Sequence, residues 1–309
     1  MDFFVTILGS SSATFHKLRG LTAHVVSFKG RYFLIDCGEG TQIQMQRYGT
    51  PMQKISSIFI SHLHGDHFYG LIGLLSTYHL FHRKAPLHIY SHAALREIIT
   101  MQLEASETTL AYPLHFHVIE EGSDAVLYED EEISISTFPL VHSIPANGFF
   151  FQEKNVKRSL IKEKIKPMNL PHEAYSILKD GEDYRLDDDT LVRAAEVSKN
   201  APPPRSYAYC SDTGYSEAVV PYIRGATLLY HEATFLDGDA PSERLRKYHT
   251  NSREAALIAA KARVNHLIIG HFSARYNTLK PLLDEARMFF PNTVPAIDGK
   301  RYLINYQDE

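Results

Sequence analysis

The run His62-Leu63-His64-Gly65-Asp66-His67 puts three imidazoles and a carboxylate within six residues. Imidazole nitrogen and carboxylate oxygen are donors that divalent zinc takes, and separate pairs from this set would serve two ions. The apolar stretch Ile58-Phe59-Ile60 leads into it and reads as a strand. On a strand His62 and His64 share a face, because side chains repeat every two residues. Gly65 then lets the backbone turn, so that Asp66 and His67 come round on the turn that starts a helix from Phe68. A loop whose histidines only cap and hydrogen-bond accounts for a single His, but poorly for this cluster.

Two ions need more donors, and the chain has them past later apolar runs. His142 follows 138–141, Asp212 follows 207–211 and His271 follows 267–270. In each case a strand would deliver a ligand-type residue to one rim. Strands are expected over 3–8, 23–28, 32–36, 87–90, 115–120, 126–128, 133–138, 148–151, 207–211, 227–231, 266–271 and 302–306. Helices are expected over 42–48, 71–80, 93–103, 217–223, 252–262 (capped by Asn251 or Ser252) and 279–289. Strands and helices mix in both halves, and hairpins occur among them. Two sheets packed face to face with helices outside fit that order better than one open parallel sheet. His115 and His117 alternate with apolar neighbours and are read as structural.

With 309 residues the chain can bury a large core. Its net charge of −4 does not mark a nucleic-acid binder, but residues 153–166 carry six basic side chains against two acidic ones. Such a patch attracts phosphates locally, because salt confines charges to a range of about 8–10 Å. Two cysteines are too few for a disulfide scaffold, and Cys37 and Cys210 each end an apolar run, which suits buried thiols in a reducing, cytoplasmic setting. No apolar window has the length of a membrane span, and the first residues lack the basic-then-apolar order of a signal peptide. Residues 152–205 break the rhythm: they begin basic, turn acidic over 180–189 and end at Ala201-Pro202-Pro203-Pro204. A proline run continues neither a helix nor a central strand, so this segment reads as an insertion projecting from a single 1–309 body.

The cluster 62–67 resembles the signature of the metallo-β-lactamase fold, and the motifs around it resemble one branch, the ribonuclease Z family of tRNA 3′-processing endonucleases. Asp36-Cys37-Gly38-Glu39-Gly40-Thr41-Gln42 is similar to the family's early Gly-rich motif, and Pro139-Leu140-Val141-His142-Ser143 and Ser211-Asp212-Thr213 to its next two. His231-Glu232-Ala233-Thr234, His249-Thr250-Asn251-Ser252-Arg253-Glu254-Ala255 and Gly270-His271-Phe272-Ser273-Ala274-Arg275-Tyr276 complete the series in order. The resemblance implies a four-layer αββα sandwich in the α/β class, with a protruding arm at 152–205 that grips the tRNA body.

It also implies two zinc ions per subunit: His62, His64 and His142 on the first, Asp66, His67 and His271 on the second, and Asp212 bridging. Asp66 would accept a proton, and His249 paired with Glu232 would give one to the leaving 3′ oxygen. Precursor tRNA would be cut to leave a tRNA 3′-hydroxyl and a trailer 5′-phosphate. The family's usual state is a homodimer in which one arm serves the partner's site. Lys157, Arg158, Lys162 and Lys164 of the arm would meet RNA. Lys17 and Arg19 match the family's Pro-x-Lys-x-Arg-Asn motif, which senses the CCA end, whereas Phe15 and Gly20 depart from it. The arm departs too, reading Leu170-Pro171-His172-Glu173-Ala174-Tyr175 where a Gly/Pro-rich motif is usual.

Overall fold

Strands covered on both faces need no alternation of apolar and polar residues, and all seven residues of Phe3–Gly9 are buried. A computed structural model, describing residues 3–14, 16–239 and 242–306, arranges such strands in two seven-stranded sheets. Phe15 lies outside the described residues. The first sheet contains β1 (Phe3–Gly9), β2 (Ala23–Phe28), β3 (Arg31–Ile35), β4 (Ile55–Phe59), β5 (Leu87–Ser91) and β6 (Leu114–Val118). The second starts with β7 (Val126–Glu129), β8 (Ile133–Pro139) and β9 (Asn147–Glu153). After four short strands, β10 (Ser159–Leu160), β11 (Tyr184–Arg185), β12 (Leu191–Val192) and β13 (Ser198–Lys199), it resumes with β14 (Ser206–Cys210), β15 (Leu228–Glu232), β16 (His266–Gly270) and β17 (Thr293–Pro295). Last, β18 (Arg301–Leu303) returns to the first sheet beside β1.

The two sheets are built alike. Read as β18-β1-β2-β3-β4-β5-β6 and as β7-β8-β9-β14-β15-β16-β17, each has three antiparallel pairings followed by three parallel ones. Aromatic rings lock their inner faces together: Phe33 meets Phe151 at 5.9 Å, and Phe59 meets Phe149 at 5.5 Å between centroids. Outside the first sheet lie α1 (Thr41–Arg47), α2 (Gly65–Phe68), α3 (Leu71–Leu80) and α4 (Ala94–Ala105), with Leu71, Leu74, Leu75, Leu95 and Ile99 buried against it. This is the expected helix–sheet–sheet–helix layering. No helix among the described residues is long and apolar enough to cross a membrane.

The strand before the histidine cluster is shorter than expected. It ends at Phe59, so His62 and His64 stand on a loop rather than on one strand face, and the helix starts at Gly65 rather than Phe68. The cause is Asp36, whose Oδ1 takes the Ser61 N–H at 2.7 Å and interrupts the ladder.

Residues 152 and 153 belong to β9, so the arm begins two residues later than the composition suggests. It holds α5 (Lys162–Ile165), α6 (His172–Asp180) and α7 (Ala194–Val197) around a small core of Ile165, Leu170, Ala174, Leu178, Val192, Ala194 and Val197. At its base Arg205 grips Glu153 through Nε and one terminal nitrogen, both at 2.9 Å, with Tyr306 donating to the same carboxylate. The second sheet is flanked by α8 (Val220–Ile223), α9 (Glu243–Tyr248), α10 (Ser252–Ala262) and α11 (Lys280–Phe289). Asn251 caps α10 in a full capping box with Glu254. Helix α9 was not expected, and neither was β17; α9 leads directly into His249.

Candidate metal centre

Parallel strands end on one side of a sheet, and the residues following them gather there. Asp36 follows β3, Asp212 follows β14, Glu232 ends β15 and His271 follows β16. The loop after β4 adds His62 and His64, the short helix α2 that follows it adds Asp66 and His67, and the loop after β8 adds His142. Asp36 and His271 both have a φ of 57°, in the left-handed region that L-residues seldom occupy, a strain typical of functional positions.

The seven residues expected as ligands come together in two sets. His62, His64, His142 and Asp212 bring one donor atom each to within 4.8 Å of one another, and so do Asp66, His67, Asp212 and His271. Asp212 belongs to both. Its Oδ1 lies 3.0 Å from His271 Nε2 and 3.3 Å from His67 Nε2, while its Oδ2 lies 3.7 Å from His62 Nε2 and 3.9 Å from His142 Nε2. His64 turns Nδ1 inward, 3.0 Å from His142 Nε2. The Nε2 atoms of His62, His67 and His271 are buried and hydrogen-bond to nothing among the described residues.

The other ring nitrogens are tied down. His62 Nδ1 is 3.0 Å from Ser61 Oγ, His67 Nδ1 is 2.8 Å from Asp36, His271 Nδ1 is 3.0 Å from Thr234 Oγ1, and His142 Nδ1 is 3.0 Å from the Tyr248 carbonyl. Partners of this kind orient imidazoles so that the free nitrogen points at a metal. Burial holds His62, His64 and His142 below the ordinary histidine pKa, keeping them neutral lone-pair donors. Burial also opposes charge on His67, yet Asp212, Asp66 and Asp36 raise its pKa well above the usual value. For Asp212 burial works toward the neutral acid, but His271 and His67 hold it well below the carboxylate range. Inward-aimed imidazole nitrogens beside ionised carboxylates, where a cation would take the place of the proton on His67, are a donor set that fits two divalent cations.

His249 and Glu232 also meet, with Nδ1 to Oε1 at 3.0 Å. Burial would lower the pKa of His249; the carboxylate of Glu232 overrides it and raises the pKa to about 9. Glu232 is fully buried, and it also accepts the Thr213 N–H at 2.8 Å. His231, read as structural, is buried with Nδ1 against the Glu232 carbonyl.

The Asp36 carboxylate was not singled out from the sequence. It takes the Ser61 N–H and hydroxyl, the Tyr209 hydroxyl at 2.7 Å and His67 Nδ1. Its only sequence signal is its place at the head of the Gly-rich motif. Gly38 of that motif and Gly70 cross so closely that a Cβ on Gly70 would lie 2.0 Å from the Gly38 carbonyl oxygen.

The cationic residues expected on the substrate side fall in two places, Lys17 and Arg19 along one cavity and Lys157, Arg158 and Lys162 along another. Lys17 is exposed, but Arg19 is buried, and one terminal nitrogen donates to the carbonyls of Tyr276 at 3.0 Å and Ser273 at 3.4 Å. On the arm, Lys157 pairs with Asp180, Arg158 donates to Ser198 and Lys164 to the Glu196 carbonyl. Lys157, Arg158 and Lys162 line a cavity of about 1330 Å³ at the arm's base, which shares no residue with the cavity of about 630 Å³ over the histidine cluster.

Over 294 residues, 95% of this chain and 96% of the relative, the sequence is 40% identical to ribonuclease Z of Bacteroides fragilis. It is 46% identical over 308 residues to ribonuclease Z of Cytophaga hutchinsonii, covering 99% and 97% of the two chains. The chain belongs to the ribonuclease Z family. The crystal structure of human tRNase Z, short form, superposes with a TM-score of 0.71 at 26% identity, covering 98% of this chain and 99% of that one. A Bacillus subtilis metallo-β-lactamase fold protein, YhfI, gives 0.67 at 18% identity, covering 98% and 100%, a likeness of fold. Residues 3–170 also match the family described as Anti-Pycsar protein Apyc1, to which that part of the chain belongs. The enzyme is thus a metal-dependent hydrolase of the nuclease type on the metallo-β-lactamase fold.

Proposed function

We propose that the enzyme removes the 3′ trailer from precursor tRNA by zinc-dependent endonucleolytic hydrolysis, leaving a 3′-hydroxyl on the tRNA and a 5′-phosphate on the trailer. The observation that carries this reading is the pair of donor sets sharing Asp212 beside the His249–Glu232 pair. His62, His64 and His142 would hold one zinc ion and Asp66, His67 and His271 the other. Bound there, two ions supply an activated water at neutral pH and stabilise charge on the phosphoryl oxygens.

The chain's own groups do the rest. Asp66, whose Oδ2 accepts the Ala13 N–H at 2.8 Å, is positioned to take the proton of the attacking water. His249, kept protonated by Glu232, gives a proton to the departing 3′ oxygen. In the same reading the arm grips the tRNA body, mainly through phosphates. The enzyme works in the cytoplasm as a homodimer whose arms serve the opposite subunits; family membership supports this.

The test is incubation of purified enzyme with a 3′-extended precursor tRNA, with and without chelator, and mapping of both ends at the cut. A single cut after the acceptor stem, abolished by chelator and restored by zinc, is expected. Equal turnover of precursor tRNA and a small phosphodiester would instead make it a general phosphodiesterase.

A further inference from the structure

Tyr69 follows directly on α2, the turn that carries Asp66 and His67. Its side chain is 65% exposed, and among the exposed large apolar side chains of the described residues it alone lines the cavity over the histidine cluster. Two local contacts nevertheless seat the ring. It lies against Gly65, where a Cβ would come within 2.2 Å of ring Cε2, and Phe68 meets it edge-on at 4.8 Å between centroids. Its hydroxyl makes no hydrogen bond among the described residues. A residue that the backbone keeps free of a side chain to seat this ring, and a ring left facing water at the mouth of a phosphodiesterase centre, call for a flat apolar partner.

We propose that Tyr69 is a substrate-positioning platform on which a nucleobase flanking the scissile phosphate stacks. This rests on the reading of the enzyme as an endoribonuclease. Every base has a π-face, so stacking seats a single-stranded nucleotide without selecting its identity, and suits an enzyme that must accept many trailers. The ring neighbours Asp66 along the chain, so a base resting on it would fix the adjacent phosphate relative to the donor sets. A near-attack geometry is sensitive to that placement.

The experiment compares Tyr69→Phe, Tyr69→Leu and Tyr69→Ala on precursor tRNA with intact bases, and with an abasic site at the last tRNA nucleotide or at the first trailer nucleotide. Zinc content and Tm are measured for each variant. The phenylalanine variant is expected within about twofold of wild type, and the leucine and alanine variants should lose about 5- to 100-fold in kcat/KM. One of the two abasic substrates should cost the wild-type enzyme a similar factor and cost Tyr69→Ala nothing further. That non-additivity separates stacking from a structural role and identifies which flanking base is held. Full activity of Tyr69→Leu, or an abasic penalty as large in Tyr69→Ala as in wild type, overturns the proposal. Wild-type enzyme that fails to cut the intact substrate at all would refute the endoribonuclease reading instead.

Discussion

Asp36 illustrates how much of a metal site lies beneath its donors. It touches no point where an ion would sit, yet it fixes the tautomer and tilt of His67 and halts β4 so that His62 falls on a loop. Replacing Asp36 with Asn keeps the shape but removes the charge that holds a proton on His67 Nδ1. Affinity for zinc should fall about 10- to 100-fold, as for other partners of metal-bound histidines. Competition with a chromogenic chelator measures this directly, and unchanged affinity would reduce Asp36 to a strand-end turn former. Arg19 carries the opposite lesson. A cation expected to meet RNA is turned inward, where it ties loop 10–20 to the segment after His271.

At the scale of elements, the arm is a small folded unit with its own apolar core, anchored by Arg205 and Glu153. Most of its basic side chains are already engaged, but Lys162 and Lys166 are exposed and make no ion pair among the described residues. The expected outcome of Lys162→Ala combined with Lys166→Ala is a higher KM for precursor tRNA, unchanged hydrolysis of a small phosphodiester, and a shallower salt dependence by nearly two in the log–log slope. Steady-state assays across a salt series report all three. Losses of equal size on both substrates would point to damage reaching the centre. The charge drift and proline run set this segment apart in the sequence; its internal helices are not legible there, since each is short and holds together only by packing on the others.

For the whole molecule, the donor sets are distributed over both sheets, so bound ions would clamp the two halves together. An ion that binds only the folded state stabilises by about 2.7 kcal/mol at a hundredfold excess over Kd. Chelation is therefore expected to lower Tm by several degrees while leaving the far-ultraviolet circular dichroism of the sheets intact. Calorimetry with and without chelator checks it, and coincident melting curves would mean that the ions bind without coupling to folding.

The sequence by itself determined the chemistry: imidazole and carboxylate donors at 62–67, and ligand-type residues past the apolar runs that become β8, β14 and β16. That information is local, because residue type and the end of an apolar run can be read without knowing what lies opposite. Only the tertiary structure decided that Asp212 faces both donor sets, that Asp36 underpins His67, that Arg19 is buried against the segment after His271 and that Tyr69 is left facing the cavity. Each depends on chain segments brought together by strand register, such as Ile35 beside Phe59 and Cys210 beside His231. A register is set by the packing of whole sheets, which no short stretch of residues specifies.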